Sequence, residues 1–246
     1  MKEAQMSEPN FSEFLASRRS TRDFLPTPVP MELINELLKD ALTAPSWSNT
    51  RPFKVAIATG EKRDRISAEF QRRWVILSKA LRGSIWAKIK LFIFRKGLPT
   101  SNWKITKPYV PELRPRAERV GKELYEMIGI QRGDRKARDA QWGKNYQFFG
   151  APVAIFIYFH KSLDVFAASD AGLMLQNFIL SAHSRGLGTC LQGAVNLWDD
   201  AIRAEFEIPI DYRLLCGLAL GYPSKAKINT FEANRLDISE IKFNSK

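Results

Sequence analysis

Two wholly apolar runs, on either side of one long apolar segment, limit most strongly what this chain of 246 residues can fold into. Residues 153–159 read Val-Ala-Ile-Phe-Ile-Tyr-Phe, and residues 214–220 form a second run that leads into Gly-Tyr-Pro. A strand that is apolar on both faces is typical of the middle of a sheet that is covered on both sides. Residues 166–185 carry mainly Ala, Ser, Leu and Met with little polar surface, which predicts a buried helix.

Helical spacing, capping residues and helix breakers predict the remaining elements. Asn10 is a plausible N-cap for a first helix, because Phe11, Phe14 and Leu15 follow it at helical spacing. Gly60 closes a strand before a basic helix that starts at Glu61. We predict helices at about 11–18, 31–44, from 61 onward and at 199–206, and a strand at 53–59. This order of elements predicts an α+β domain with helices around a modest sheet.

The stretch from Ser78 to Asn145 is too long for a plain connection between two elements. It holds Trp86, Trp103 and Trp142 among prolines and many cations, and nothing in it has the composition of a flexible linker. We expect two or more helices here, forming a lid-like insertion at about 78–145 that covers a site. The whole chain, 1–246, is then expected to form a single domain.

Composition and charge bear on the compartment and on macromolecular partners. Apolar residues make up 45% of the chain and charged residues 26%, as in globular proteins. The net charge of +12 raises nucleic acid as a partner, but the chain has no zinc-finger spacing or RNA-binding signature, so we do not expect one. Cys190 and Cys216 lie among apolar residues, which indicates buried thiols. The N-terminus has no signal-peptide pattern, and no apolar run reaches the roughly 20 residues of a membrane-spanning helix. We therefore expect a cytoplasmic protein.

Several kinds of catalytic site are not supported by any motif. The chain has neither GxGxxG after a strand nor GxxxxGK[ST], and it also has no GxSxG. Its two histidines, His160 and His183, are not part of a metal-binding pattern, so we expect no metal site. His183 lies on the predicted buried helix, where a hydrogen-bonded core histidine is the favoured interpretation. A chain without an acid–base pair suits a cofactor that carries out the chemistry itself.

Three segments could hold such a cofactor, and each has an ordinary structural interpretation beside it. Residues 18–22 offer guanidinium groups and a hydroxyl to a phosphate and polyol, or form a solvated basic helix end. Residues 44–53 leave a helix through a polar loop that could face a flat heteroaromatic ring, or form a simple turn. Residues 186–194 carry glycines that let the backbone approach another group, or end a helix.

These segments, taken in order, resemble the FMN-dependent nitroreductase family over about residues 11–241. The pieces are Arg-Arg-Ser-x-Arg-x-Phe at 18–24, Ala-Pro-Ser-x-x-Asn-x-x-Pro-Phe at 44–53, Gly-Leu-Gly-Thr-Cys-x-x-Gly at 186–193, and Leu-Gly-Tyr-Pro at 220–223 followed by Asn-Arg-Leu at 234–236. Residues 129–135 and 145–152 resemble a subgroup that reduces nitrobenzoates. The resemblance implies a nitroreductase-like α+β fold, with a central antiparallel or mixed sheet flanked by helices. It also implies an intertwined homodimer with two FMN sites at the interface.

The resemblance also assigns roles by position. Arg18 and Arg235 would hold the FMN phosphate, and Arg19 and Ser20 would lie along the phosphate and ribityl chain. Arg22 would reach the N1/O2 edge of the ring. The remaining assignments are Asn145 at the pyrimidine edge, the backbone of Gln192 and Gly193 facing N5 and O4, and Pro45, Ser46, Trp47 and Asn49 from the other subunit.

No side chain is expected to be catalytic, because FMN N5 would carry out the transfer. The implied cycle is ping-pong: NAD(P)H gives a hydride to FMN and leaves, and a small aromatic acceptor then takes its place and receives two electrons. Cations in the 78–145 insertion could favour anionic acceptors such as aromatic carboxylates, or could simply be solvated. The chain has Arg51-Pro52-Phe53 where many family members have Gln-Pro-Trp. It has Ala233 where some members carry a Lys, so the phosphate would depend more on Arg18, Arg19 and Arg235.

Two alternatives remain at this stage. The same fold and FMN site could serve a reductive dehalogenase or an enzyme of oxidative flavin breakdown. In a different class, the basic apolar segment 81–98 could make the chain a membrane-surface or partner-binding protein. We favour an amphipathic lid helix packed on the core for that segment, so we do not expect membrane association.

Overall fold

The computed structural model of the chain describes residues 10–95, 97–100 and 109–243. Four strands form one sheet in the order β1–β2–β4–β3, and every neighbouring pair is antiparallel. The sequence left open an antiparallel or a mixed sheet, and the sheet is antiparallel. The strands are β1 (Phe53–Thr59), β2 (Val153–His160), β3 (Gly188–Gln192) and β4 (Tyr212–Gly221).

The strand predictions at 53–59, 153–159 and 214–220 are confirmed. β2 lies between β1 and β4, and its residues are buried except for His160, which is half-buried. β3 was not predicted. It begins at Gly188, separated from the end of α7 by three residues, and its five residues lack a local strand pattern. Pairing with β4 is what makes it a strand.

Eight α-helices surround the sheet in the described part of the chain. They are α1 (Phe11–Ser17), α2 (Met31–Ala41), α3 (Gly60–Leu81), α4 (Ile85–Phe94), α5 (Arg114–Met127), α6 (Arg135–Gly143), α7 (Asp164–Ser184) and α8 (Asp199–Arg203). The predicted N-cap Asn10 accepts a hydrogen bond from the backbone of Ser12 at 3.1 Å. The predicted α+β domain with helices around a modest sheet is thus what the structure contains.

Both faces of the sheet are covered by apolar layers. On one face, alternate residues such as Phe156 and Ala219 pack with Phe70 of α3 and with Trp198. On the other face, Ile155 and its neighbours pack against α2 and α7, in a layer that includes Leu37 and Met174. This arrangement explains why β2 is apolar along its whole length.

α7 is only partly the buried helix that its composition predicted. One face packs on the sheet, but Val165, Phe166 and Leu173 are exposed in the single chain. Residues 161–184 are also long and apolar enough to cross a membrane by length and composition, contrary to the expectation that no such run exists. A core helix packed on one face meets the same criterion, and that is how α7 lies here.

Three helices, α4 to α6, occupy the stretch predicted to be an insertion, although α3 extends into it as far as Leu81. α4 packs on α3 through Ala87 and Leu91. The expectation that its apolar face packs on the core is wrong for Ile85, Trp86, Phe92 and Ile93, which are exposed.

Two predicted helix ends are wrong. α2 ends at Ala41, three residues earlier than expected, because residues 42–44 form a turn. The helix predicted to run to residue 206 ends at Arg203. The Arg203 guanidinium donates to the carbonyls of Ile208 at 3.0 Å and Tyr212 at 2.6 Å. These bonds hold the chain that follows in a turn toward β4.

Candidate functional site

The first predicted segment runs along the edge strand β3. Ser20 forms a parallel bridge with Thr189, and the N–H of Thr21 donates to the Thr189 carbonyl at 2.9 Å. Gly188 makes this approach feasible, because a Cβ there would collide with Thr21 and Pro223. Gly186 has a φ of +72° and ends α7, so the predicted helix end is also present.

Arg18 and Arg235 are 217 positions apart in the sequence (235 minus 18), yet the fold brings them close enough for their charges to interact. Burial lowers the pKa of Arg18, and the charge of Arg235 lowers it further. Within the described ranges, neither guanidinium forms an ion pair, whereas Arg19 contacts Glu232. Two interacting cations that pair with no acid in the described part of the chain suit an anion such as phosphate.

Arg22 lies further along β3. Its backbone N–H donates to Asn229 at 2.8 Å, and its guanidinium is 6.0 Å from the centre of the Phe231 ring. Burial raises the pKa of the Cys190 thiol to about 11, and the nearby charge of Arg22 opposes that rise. Arg22 is therefore held beside the middle of β3 by the C-terminal tail.

Asn145 and Gln192 meet at the far end of β3. The Gln192 side-chain amide donates to the Asn145 carbonyl at 2.8 Å, and the Asn145 amide donates to the Trp142 carbonyl at 2.9 Å. The Gln192 side-chain oxygen is buried and has no hydrogen-bond partner among the residues that the structure describes. Gly193 is exposed and has open space around it. This end of β3 thus offers polar groups and room for a flat ring.

The predicted site loop, with Pro45, Ser46, Trp47 and Asn49, is attached to α7 and not to β3. The Trp47 backbone N–H donates to the Asp170 carboxyl oxygens at 3.1 and 3.2 Å, and the Trp47 ring packs 4.3 Å from that of Phe166. Both partners belong to the first half of α7.

Three residues of this loop have positive φ angles without being glycine. They are Ser48 at 48°, Asn49 at 58° and Arg51 at 45°. A residue other than glycine in this region costs about 1–3 kcal/mol and persists only where the surroundings hold it. The hydrogen bond from the Arg51 N–H to the Ser46 hydroxyl, at 3.0 Å, helps to close the loop.

One chain does not bring the two halves of the predicted site together. His183, near the end of α7, contacts Ser17 at 2.7 Å, directly before Arg18. Asp170 holds the other half, 13 residues earlier on the same helix (183 minus 170). At 1.5 Å per residue the two attachment points are about 20 Å apart. The sequence-based assignment to the other subunit is compatible with this separation.

Known proteins resemble the whole of this architecture. The family model described as Nitroreductase family matches residues 15–222. The chain belongs to the nitroreductase family. It is 31% identical to a 4-nitrobenzoate reductase of Pseudomonas putida, over 92% of this chain and 91% of that protein. It is 28% identical to a chloronitrobenzene nitroreductase of Comamonas testosteroni, over 96% of both chains.

Solved structures agree with the family assignment. An FMN and NADPH-dependent nitroreductase, NfnB of Sphigopyxis sp. strain HMH, matches with a TM-score of 0.82 at 28% identity, over 96% of this chain and 99% of that one. The FMN-dependent nitroreductase NfnB of Mycobacterium smegmatis, in complex with NADPH, matches with a TM-score of 0.77 at 25% identity, over 96% and 98% of the two chains. The nitroreductase-like fold inferred from the sequence is therefore confirmed.

The structure also tests the predictions made for His183 and for the two cysteines. His183 is hydrogen-bonded to Ser17 and packs 5.0 Å from Phe14, but it is half-buried and not fully in the core. Its pKa is lowered by burial, and then by Arg18 and Arg19. Cys190 and Cys216 are buried free thiols, as expected. Burial raises the pKa of Cys216 to about 12, so it has little thiolate at neutral pH.

Sequence reasoning missed three residues that contact the predicted site segments. Asn229 accepts from the Arg22 N–H, and Glu232 pairs with Arg19. Both lie in the tail, and no local pattern connects them to residues 18–22. Asp170 had a usable signal, because it is an acid on a helix that is otherwise nearly free of charge.

Proposed function

We propose that this nitroreductase binds FMN along the β3 edge and uses NAD(P)H to reduce nitroaromatic or similar electron-poor aromatic compounds. The proposal is carried by Arg18 and Arg235, whose charges interact and which form no ion pair with any residue that the structure describes. Two cations held together at one end of β3 suit a phosphate, and Ser20 follows them along the same edge. Relatives with this fold are FMN and NADPH-dependent nitroreductases.

The residues at the other end of β3 suit the ring of FMN. The buried Gln192 oxygen has no partner within the described ranges, and the open space at Gly193 leaves the backbone accessible. A flat ring there would lie near Asn145 and within reach of Arg22. A cation at the ring's pyrimidine edge favours its negatively charged form. When bound, FMN supplies the two-electron transfer between NAD(P)H and the aromatic acceptor, and the protein binds and orients the reactants.

We also propose the homodimer, in which each FMN site takes Pro45, Ser46, Trp47 and Asn49 from the second subunit. Two observations support it. The loop and the arginine cluster are attached about 20 Å apart along α7. The outer face of α7 is exposed in the single chain at Val165, Phe166, Ser169, Gly172 and Leu173, which recur at helical spacing. A second copy would cover that stripe.

We further propose a class of electron acceptor, a domain organisation and a cellular compartment. The chain is similar to two 4-nitrobenzoate reductases, at 31% and 30% identity, so we propose nitrobenzoates and related small aromatics as acceptors. α4 to α6 form the lid-like insertion of a single domain. Buried free thiols suit a cytoplasmic enzyme, which we propose acts on small molecules and does not act on nucleic acid or membranes.

The visible absorption spectrum of the purified protein tests this function. We expect flavin bands that bleach on anaerobic addition of NADH or NADPH and return on addition of 4-nitrobenzoate. A protein that remains colourless and does not bind added FMN would contradict the proposal. Flavin that bleaches only with dithionite would keep the cofactor but favour the reductive dehalogenase or another flavin chemistry.

A further inference from the structure

Asp170 is a buried acid with no part in the cycle described above. Its side chain is 5% exposed and lies in α7, on the face that meets the loop after α2. Within the described residues, no cation forms an ion pair with it. Its two carboxyl oxygens instead accept from one donor, the backbone N–H of Trp47, at 3.2 and 3.1 Å. A buried acid that binds a backbone N–H fixes the position of that segment of backbone.

The segment that Asp170 holds is the strained one. Trp47 begins a short 3-10 turn, and Ser48, Asn49 and Arg51 follow with positive φ. Such a conformation persists only where contacts hold it. The contact between the Trp47 and Phe166 rings is the second tie to α7, but a ring contact leaves the backbone free to rotate. The Asp170 hydrogen bond acts on the backbone itself.

We propose that Asp170 is a positioning residue that holds the 45–51 loop in the conformation that contacts FMN in the partner subunit. This inference rests on the proposed function, because it assumes that the loop meets the cofactor. Asp170 itself is buried beneath the loop and would act through the loop backbone. Its role is to keep the loop preorganised, so that FMN binding does not have to order it.

The test compares Asp170→Leu with Asp170→Asn, both loaded with FMN, and measures the FMN dissociation constant and the shape of the flavin absorption bands. Leucine cannot accept the Trp47 N–H, so we expect FMN to bind about tenfold more weakly, with altered flavin bands. Asparagine keeps one side-chain oxygen at the same place, so it should restore most of the affinity. A role confined to folding would lower the melting temperature without this pattern of loss and rescue.

Two further variants remove the donor instead of the acceptor. Trp47→Pro lacks the backbone N–H, and proline is tolerated at the first residue of such a turn, while Trp47→Ala keeps the N–H. We expect the proline variant to bind FMN about tenfold more weakly than the alanine variant. This pair keeps the inference testable if Asp170→Leu does not fold.

Asp40→Leu is the matched control, because Asp40 contacts Ser181 and Arg185 of the α7 region but not the loop. It should leave FMN affinity unchanged. The inference is overturned if wild type binds FMN and Asp170→Leu binds it equally well, or if the proline and alanine variants bind it alike. A wild-type protein without FMN binding would instead contradict the proposed function.

Discussion

At the level of single residues, the interaction between the charges of Arg18 and Arg235 affects both FMN binding and the stability of the folded chain. Two like charges brought together without an acid raise the free energy of the folded chain, and a bound phosphate reverses that effect. We expect Arg18→Ala and Arg235→Ala, made separately, each to weaken FMN binding about 10- to 150-fold, since a hydrogen bond to a charged group contributes about 1.5–3 kcal/mol. Neither variant should be less stable than wild type without FMN, because each removes a repulsion. Flavin titration and denaturant unfolding measure the two quantities.

Arg185→Ala is the control for these two variants. Arg185 follows directly after α7, but it pairs with Asp40 at 2.8 Å and so has no free charge to offer a phosphate. Its loss should leave FMN affinity unchanged and cost at most about 1 kcal/mol of stability. If Arg18→Ala and Arg235→Ala retain FMN as Arg185→Ala does, the phosphate site lies elsewhere.

The sequence pointed to the arginines as candidate phosphate ligands, but it did not point to the residues that hold them in place. Residues 18–22 could be recognised because guanidinium and hydroxyl groups follow each other in a pattern known from nitroreductases. Arg235 entered through the same family pattern. Asn229 and Glu232, which hold Arg22 and Arg19, could not be recognised, because single polar residues in an irregular tail give no periodic signal. Only the folded chain brings them to β3.

At the level of secondary-structure elements, α4 packs on α3 along one face and leaves its other face exposed. Leu91 is 5% exposed and packs on α3, whereas Phe92 beside it is 75% exposed. We expect Leu91→Ala to destabilise α4 by about 2 kcal/mol, and Phe92→Ala by no more than about 0.5 kcal/mol. Native-state hydrogen exchange of the α4 amides would measure both, since it reports local opening. Equal effects from the two variants would show that the outer face of α4 is covered in solution.

Elements with strong local patterns were predictable, and elements made by distant contacts were not. β2 and β4 have runs of apolar residues that indicate buried strands without further information. β3 has only five residues after a helix-ending glycine, and its backbone is ordered by β4 on one side and by Ser20 on the other. The early end of α8 likewise depends on the Arg203 side chain reaching Tyr212. Neither the pairing of β3 nor the bond from Arg203 to Tyr212 can be inferred from local propensity.

At the level of the whole molecule, the segments that the family resemblance assigns to FMN are attached at two different places along one chain. The arginine cluster lies near the end of α7, and the loop held by Asp170 lies near its beginning. A twofold arrangement of two chains would place the loop of each against the cluster of the other, since a twofold interface presents the same surfaces reciprocally. No pattern in a single sequence reports such an arrangement, and only the family resemblance suggested it.

Subunit complementation tests the arrangement directly. One chain carries Arg235→Ala, which damages the phosphate site, and the other carries Asp170→Leu, which releases the loop. In a mixed dimer, one site combines both defects, while the other has an intact arginine cluster from the Asp170→Leu chain and an intact loop from the Arg235→Ala chain. We therefore expect doubly tagged mixed dimers to bind one FMN with wild-type affinity, although each homodimer binds FMN weakly. If the loop and the cluster acted within one chain, both sites of the mixed dimer would keep one defect, and its affinity would be no better than that of the homodimers.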